Sequence, residues 1–268
     1  MKYKRVIAVY SDTHVGSKYS IMPKDFENQE GNTIGLNDGQ EYLLEHWNNC
    51  RKVCDRFGVD TVLLVGDLIH GLHRKKHGEG LILSELEDQK DACVKLFKPL
   101  CKGRTVIGVS GTDYHNSQDT KTEKQIIEDK DIGGTYCGYV INGDIKGTKR
   151  TMNVMHGKSD AVIYPETTAG REMLFFKEAV FDRKLPRPNI LVRAHNHFYL
   201  HLHKRNMHFI KNPCWSILEP SDYTTRNYAK FQPDLGMSLL LIDNDDRVSS
   251  WHFLTEETPH IADFVRNI

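Results

Sequence analysis

Carboxylate and imidazole side chains, the groups that bind metals and move protons, fall in this chain at one repeated kind of place: just after an apolar run. "VIAVY" leads into Ser11, Asp12, Thr13 and His14, and "TVLLV" into Gly66 and Asp67. "TVIGV" leads into "SGTDYHNS", with Asp113, Tyr114, His115 and Asn116. "TMNVM" leads into His156 and Gly157, and "NILVRA" into His195, Asn196 and His197. Oxygen and nitrogen donors at this density are a ligand set for first-row metals, with room for two ions. Taken singly, each piece has an ordinary explanation. Asp-x-His is frequent by chance, Gly-Asp after a strand is usually a turn, and a lone strand-end histidine is more often a hydrogen-bonded surface or core residue. Their joint order along the chain is what points to chemistry.

The elements that must position them read as follows. Strand-like runs occur at 4–10, 61–65, 105–110, 151–155 and 189–194, each rich in Val, Ile or Leu. Between them, Leu43, Leu44, Trp47, Cys50, Cys54 and Phe57 recur at helical spacing over 38–57, with Gly58 as a stop. A second helix is expected to open at Ser84, with Glu87 in capping-box spacing, and to run toward Lys102 with its last turn bent or ended by Pro99. A third is expected over 169–183. Alternating strands and helices predict an α/β architecture, in which ligands collect at the strand ends. Two later segments, "FYLHLHKRNMHFIK" and "GMSLLLIDNDDRVSSWHFL", read as antiparallel hairpins. In the first, His201 and His203 are expected on an edge-strand surface, and in the second "DNDD" is a tight turn. The stretches 16–37 and 71–83 lack periodicity and follow candidate residues, as pocket-shaping loops do.

Composition narrows the field. The 268 residues are enough for one large α/β domain with a full core, and a single domain over 1–268 is expected. Lys plus Arg and Asp plus Glu are 36 each, so no global positive field would hold a nucleic acid or a membrane. The six cysteines (Cys50, Cys54, Cys93, Cys101, Cys137, Cys214) form no CxxC pair and read as reduced core residues of a cytoplasmic protein. The apolar part of "MKYKRVIAVYSD" is too short for a signal peptide, and no run approaches the roughly 20 residues of a membrane span.

The blocks "SDTH" at 11–14, "GDLIHG" at 66–71, "GTDYH" at 111–115, "MHG" at 155–157 and "AHNH" at 194–197 resemble, in order, the D-x-H, G-D, G-N-H, H and G-H-x-H blocks of the calcineurin-like metallophosphoesterases. The likeness spans residues 6 to 197 and is specific for family but not for substrate. It implies a four-layer α/β/β/α sandwich of two mixed sheets flanked by helices. It further implies that Asp12, His14 and His197 hold one divalent metal ion and His156 and His195 a second, with Asp67 bridging them. Mn2+ is the ion expected, and Fe and Zn2+ also suit the donors. Hydroxide activated at the dinuclear centre would attack phosphorus in line with the leaving oxygen, and His115 would protonate that oxygen.

The third block departs from the family pattern. The asparagine is missing from its place, and two extra residues separate Gly111 from His115. Three readings stay open: Asp113 replaces the asparagine as a metal ligand, Asp113 orients His115, or Asn116 supplies the amide. Beyond the blocks, Arg74, Lys75 and Lys76 follow the bridging aspartate and are candidates to grip a substrate phosphate, or else a solvated charged loop. The Gly-Asp-x-x-Asp-Arg-Gly continuation of the family's protein phosphatases is absent, because residues 66–71 read Gly-Asp-Leu-Ile-His-Gly. The function expected is therefore hydrolysis of a phosphodiester, a nucleotide or nucleic acid end. The alternatives are a phosphomonoesterase and a catalytically inactive metal-containing scaffold. No membrane partner is expected, and the sequence sets no oligomeric state.

Overall fold

The runs that end in candidate ligands are strands, and their alternation divides the core into layers. The computed structural model describes residues 3–72, 78–115, 121–157, 164–181, 188–217 and 232–255. In β1 (Arg5–Tyr10), Val6, Ala8 and Tyr10 turn to one face and Ile7 and Val9 to the other, and all five are buried. A strand buried on both faces must sit inside a sheet that is covered on both sides.

That sheet has six strands in the order β13 (Val248–Leu254), β12 (Gly236–Ile242), β1, β4 (Thr61–Val65), β5 (Thr105–Val109) and β6 (Thr135–Tyr136). β1, β4, β5 and β6 run parallel, and the hairpin β12–β13 adds antiparallel at one edge. A second sheet of five strands runs β10 (Leu200–Lys204), β11 (Met207–Lys211), β9 (Ile190–Arg193), β8 (Thr151–Val154) and β7 (Ile141–Asp144). A small ribbon, β2 (Phe26–Glu27) and β3 (Thr33–Ile34), lies in the expected 16–37 loop.

Helices α1 (Asp38–Phe57), α2 (Leu86–Cys101) and α3 (Thr122–Ile127) cover one face of the first sheet, around Tyr10, Leu64, Trp47, Phe97 and Trp215. The other face meets the second sheet, with Ile7, Val9, Leu63 and Val65 against Val154, Ile190, Val192 and Ile210. α4 (Pro165–Phe181) closes the far side, placing Met173 and Phe176 against Leu191, Met207 and Phe209. The result is the expected α/β/β/α sandwich. Among the described residues, no helix is long and apolar enough to cross a membrane.

Local signals account for most boundaries. Asn37 accepts from the Gln40 backbone N–H while the Gln40 side chain accepts from the Asn37 N–H, a capping box, and Gly58 in the left-handed region ends α1. The start of α2 differs from expectation. It begins at Leu86 after Glu85, and Ser84 makes no cap, because Glu87 pairs with Lys90 instead of reaching back. Pro99 sits in the last turn, which ends at Cys101 with Lys102 N donating to Lys98 O (3.2 Å). In "DNDD", Asp243 Oδ1 accepts from the N–H groups of Asp245 and Arg247, which makes the tight turn. Five of the six cysteines are buried, and Cys137 departs from the expected core placement by being exposed.

Glu123, at the second position of α3, ties the framework to the strand ends. It is fully buried, and its two oxygens accept from Leu68 N (2.8 Å) and Gly111 N (2.7 Å), joining the turns after β4 and β5. Those turns touch: a Cβ on Gly111 would lie 2.1 Å from Asp67 Oδ1, so only glycine fits there. Glu123→Ala would orphan two buried donors at about 1–3 kcal/mol each. Its thermal midpoint should fall by about 5–15 °C, with a smaller fall in Glu123→Gln; an unchanged midpoint in the Ala variant would refute the clasp. Burial and the neighbouring Asp67 carboxylate also push the Glu123 carboxyl up to about 7, from an ordinary 4.5. The folded chain therefore keeps a proton there that the unfolded chain has released, and this contribution to stability is lost as pH rises from about 4.5 to 7. Denaturant unfolding across that window should show this fall in wild type and lack it in Glu123→Gln.

Candidate metal centre

Each ligand-bearing segment leaves its strand through a sharp turn. Asp12, His14, Asp67, His195 and His197 all take positive φ, at 51°, 41°, 50°, 78° and 59°. Non-glycine residues adopt that region at a cost of about 1–3 kcal/mol each, and they do so where a site demands it. Backbone bonds fix the turns side by side: Asp12 N donates to Gly66 O, His14 N to Asp67 O and Ala194 N to His156 O.

The side chains converge in three groups, each with ligand atoms within 4.8 Å of one another: Asp12, His14 and His197; Asp67, His156 and His195; and His14, His70 and His115. The first two groups bring together all six ligands implied by the family resemblance. Asp12 Oδ1 is 3.4 Å from His197 Nε2, 3.9 Å from His14 Nε2 and 3.7 Å from His156 Nε2. Asp67 Oδ2 is 2.9 Å from His156 Nε2 and 4.0 Å from His195 Nδ1. Asp67, to which the resemblance gives the bridging place, faces His156 and His195 with Oδ2 while its Oδ1 accepts from Thr112 N (2.7 Å) and Thr112 Oγ1 (3.1 Å), and Asp12 Oδ1 lies within 4 Å of His14, His156 and His197.

Tautomers fixed by the backbone show what the centre is built to hold. His156 Nδ1 lies 2.6 Å from the Val65 carbonyl and must donate to it, which leaves Nε2 to face the Asp67 carboxylate. Two lone pairs at 2.9 Å repel unless a proton or a cation lies between them. Asp12 Oδ1, His14 Nδ1 and His156 Nε2 are buried without a hydrogen-bond partner among the described residues. His14 Nε2 and His197 Nε2 are only 3.1 Å apart. The donors fit metal ions, and the clusters could hold them.

The titrating groups respond to the same crowding. Burial alone would raise the Asp67 carboxyl, but His156 and His115 hold it well below the usual range. Burial likewise opposes ionisation of Asp12, and His156 and His197 bring it down. His156 is opposed by burial yet raised to about 10 by Asp67 and Asp12. His14 and His115 are lowered by burial.

The third block is arranged differently from the reading that made Asp113 a metal ligand or the orienter of His115. Residues 113–115 form a turn closed by His115 N to Thr112 O (3.1 Å), which turns Asp113 outward. Its Oδ1 accepts from Tyr139 OH (3.1 Å), and among the described residues it joins none of the metal-binding groups. His115 is oriented by the His70 carbonyl, 2.7 Å from its Nδ1, and lies edge-on to His14 with ring centroids 4.4 Å apart. Asn116, Arg74, Lys75 and Lys76 lie outside the described residues. Sequence reasoning assigned no role to His70, Thr112 or Glu123. His70 had a signal, standing three residues after Asp67 inside a quoted block, whereas Glu123 is indistinguishable in sequence from a surface helix acid. A separate apolar cavity of about 350 Å³ lies between α4 and β10–β11, away from every candidate ligand.

No protein-family model and no curated protein matches the chain. Among solved structures it is similar to an archaeal phosphodiesterase, at 14% identity over 92% of this chain and 99% of that one, with a TM-score of 0.45. It is also similar to vacuolar protein sorting 29 from Cryptosporidium parvum, at 13% identity over 96% and 100% of the two chains, with a TM-score of 0.47. Vps29 from Entamoeba histolytica in complex with Zn2+ aligns at 15% identity over 93% and 98%, with a TM-score of 0.41. In its ordered blocks and its layered sheets, the chain resembles the calcineurin-like metallophosphoesterases.

Proposed function

We propose that this protein hydrolyses a phosphodiester, a nucleotide or nucleic acid end, at a centre of two divalent metal ions held by Asp12, His14, Asp67, His156, His195 and His197. The observation that carries this reading is His156 Nε2 set 2.9 Å from the Asp67 carboxylate while Nδ1 is committed to Val65, a contact that only a bound cation or a retained proton makes favourable. Cations bound there supply Lewis acidity, which acidifies a water and neutralises charge growing on the phosphoryl oxygens. Mn2+ is the ion of choice, with Fe and Zn2+ as competitors for the same donors.

The remaining work falls to the chain's own groups. Thr112 holds Asp67 in place through two hydrogen bonds, and Val65 holds the His156 tautomer. His115, with Nδ1 committed to the His70 carbonyl, turns Nε2 into the site. Burial keeps it largely unprotonated at neutral pH, and the negative charge of an arriving phosphoester raises it, so that a proton becomes available where the leaving oxygen forms. Arg74, Lys75 and Lys76, which follow Asp67 in the sequence, are the groups proposed to grip the phosphate. Cysteines without a disulfide suit a cytoplasmic setting.

The direct test is hydrolysis of bis(p-nitrophenyl) phosphate beside p-nitrophenyl phosphate after reconstitution with Mn2+. The diester should be cleaved faster, and Asp67→Asn should lower kcat by about 10³-fold or more. Faster monoester cleavage would make the protein a phosphomonoesterase. Metal binding without turnover of either ester would favour a scaffold.

Metal uptake has its own signature. Because His156 keeps a proton up to about 10 when no cation is present, binding at pH 7.5 must expel it. Titration calorimetry of Mn2+ in buffers of different ionisation enthalpy should give a slope of about one released proton or more, and apparent affinity should climb as pH rises toward 10. A zero slope would refute the retained proton on His156.

A further inference from the structure

We propose that Tyr114 and Tyr139 form an aromatic platform on the rim of the metal centre, on which a nucleobase of the substrate stacks, so that nucleoside phosphodiesters are preferred over base-free ones. The inference rests on the phosphodiesterase reading above and names its substrate class.

Three observations support it. First, both rings face solvent where an apolar group ordinarily would not: Tyr114 is 44% and Tyr139 58% exposed. Second, they stand beside the chemistry. The Tyr114 ring meets His115 edge-on at 5.0 Å, and His115 in turn meets the metal-group residue His14 at 4.4 Å, so Tyr114 is two ring contacts from a ligand. Third, Tyr139 is tied to the residue that precedes Tyr114. Tyr139 OH donates to Asp113 Oδ1 at 3.1 Å, across the gap between the turn after β5 and the loop after β6. That loop is itself pinned along β5 by Ser110 N to Gly138 O (2.8 Å), Cys137 N to Gly108 O (2.9 Å) and the Ser110–Tyr136 hydroxyl pair (2.7 Å).

The two extra residues between Gly111 and His115 thus acquire a purpose. Asp113 latches the rim, and Tyr114 presents a ring beside the phosphate position. Every nucleobase has a π-face, so a tyrosine platform grips nucleotides without reading their sequence. It also supplies affinity that a chain of zero net charge cannot draw from long-range electrostatics.

The test compares kcat/KM for thymidine 5′-(p-nitrophenyl) phosphate and methyl p-nitrophenyl phosphate, which share a leaving group, using the full chain loaded with Mn2+. The wild-type preference for the nucleoside ester should be about tenfold, within the range for one base–aromatic stack. It should largely vanish in Tyr114→Ala, survive in Tyr114→Phe and weaken in Tyr139→Phe, which loses the bond to Asp113. A preference that is absent in wild type, or undiminished in Tyr114→Ala, overturns the platform while leaving the phosphodiesterase reading intact. If neither ester is cleaved, that reading fails, and binding decides the platform alone. By calorimetry, AMP should then bind about tenfold tighter than ribose 5-phosphate in wild type and equally in Tyr114→Ala; equal binding in wild type overturns it.

Discussion

Two buried carboxylates and a ring of imidazoles meet at the strand ends with their lone pairs turned inward, and the rest of the molecule serves to hold this unfavourable convergence together. Without a cation, Asp67 and His156 are reconciled only by a proton, and Asp12 Oδ1 and His14 Nδ1 stay without a hydrogen-bond partner among the described residues. A bound cation would offset the repulsion among these lone pairs. Fold stability and metal affinity are therefore two readings of the same free energy, and whatever binds the native chain alone stabilises it.

A framework able to impose that arrangement has to be rigid and close-packed. β1, β4 and β5 lie in the interior of the first sheet, buried on both faces, and Tyr10, Trp47 and Trp215 interlock on its helical side, with the Tyr10 and Trp215 rings stacked at 5.9 Å. Left-handed residues at five ligand positions are tolerable only because this packing over-determines them. The junction of the β4 and β5 turns shows the same economy of space. Gly111 gives up its side chain so that Asp67 can pass, and Glu123 closes the junction from beneath.

Much of this was legible in the sequence because its signals were local. The apolar runs at 61–65 and 105–110 became β4 and β5, the helical spacing from Leu43 to Phe57 became α1, and the order of Asp and His after successive strands foretold a single cluster. What escaped depended on direction or on distant partners. Whether a residue two places beyond Gly111 turns inward depends on a turn closed by Thr112 and on a tyrosine 26 positions away, so Asp113 read as a ligand although it faces outward. Thr112, with a hydroxyl and a backbone N–H both aimed at Asp67, had no feature in the sequence to mark it. Ser84 carried a correct capping pattern that lost to a better pairing between Glu87 and Lys90.

Cys137 turns the distribution of thiols into a practical asset. The other five cysteines are buried, several of them shielded by the same helical core that fixes β1, whereas Cys137 is exposed on the loop that carries Tyr139. A thiol-directed fluorophore would therefore attach at one native position, on the loop after β6, without any engineered residue. The molecule thus carries a single native handle for an optical reporter on that loop.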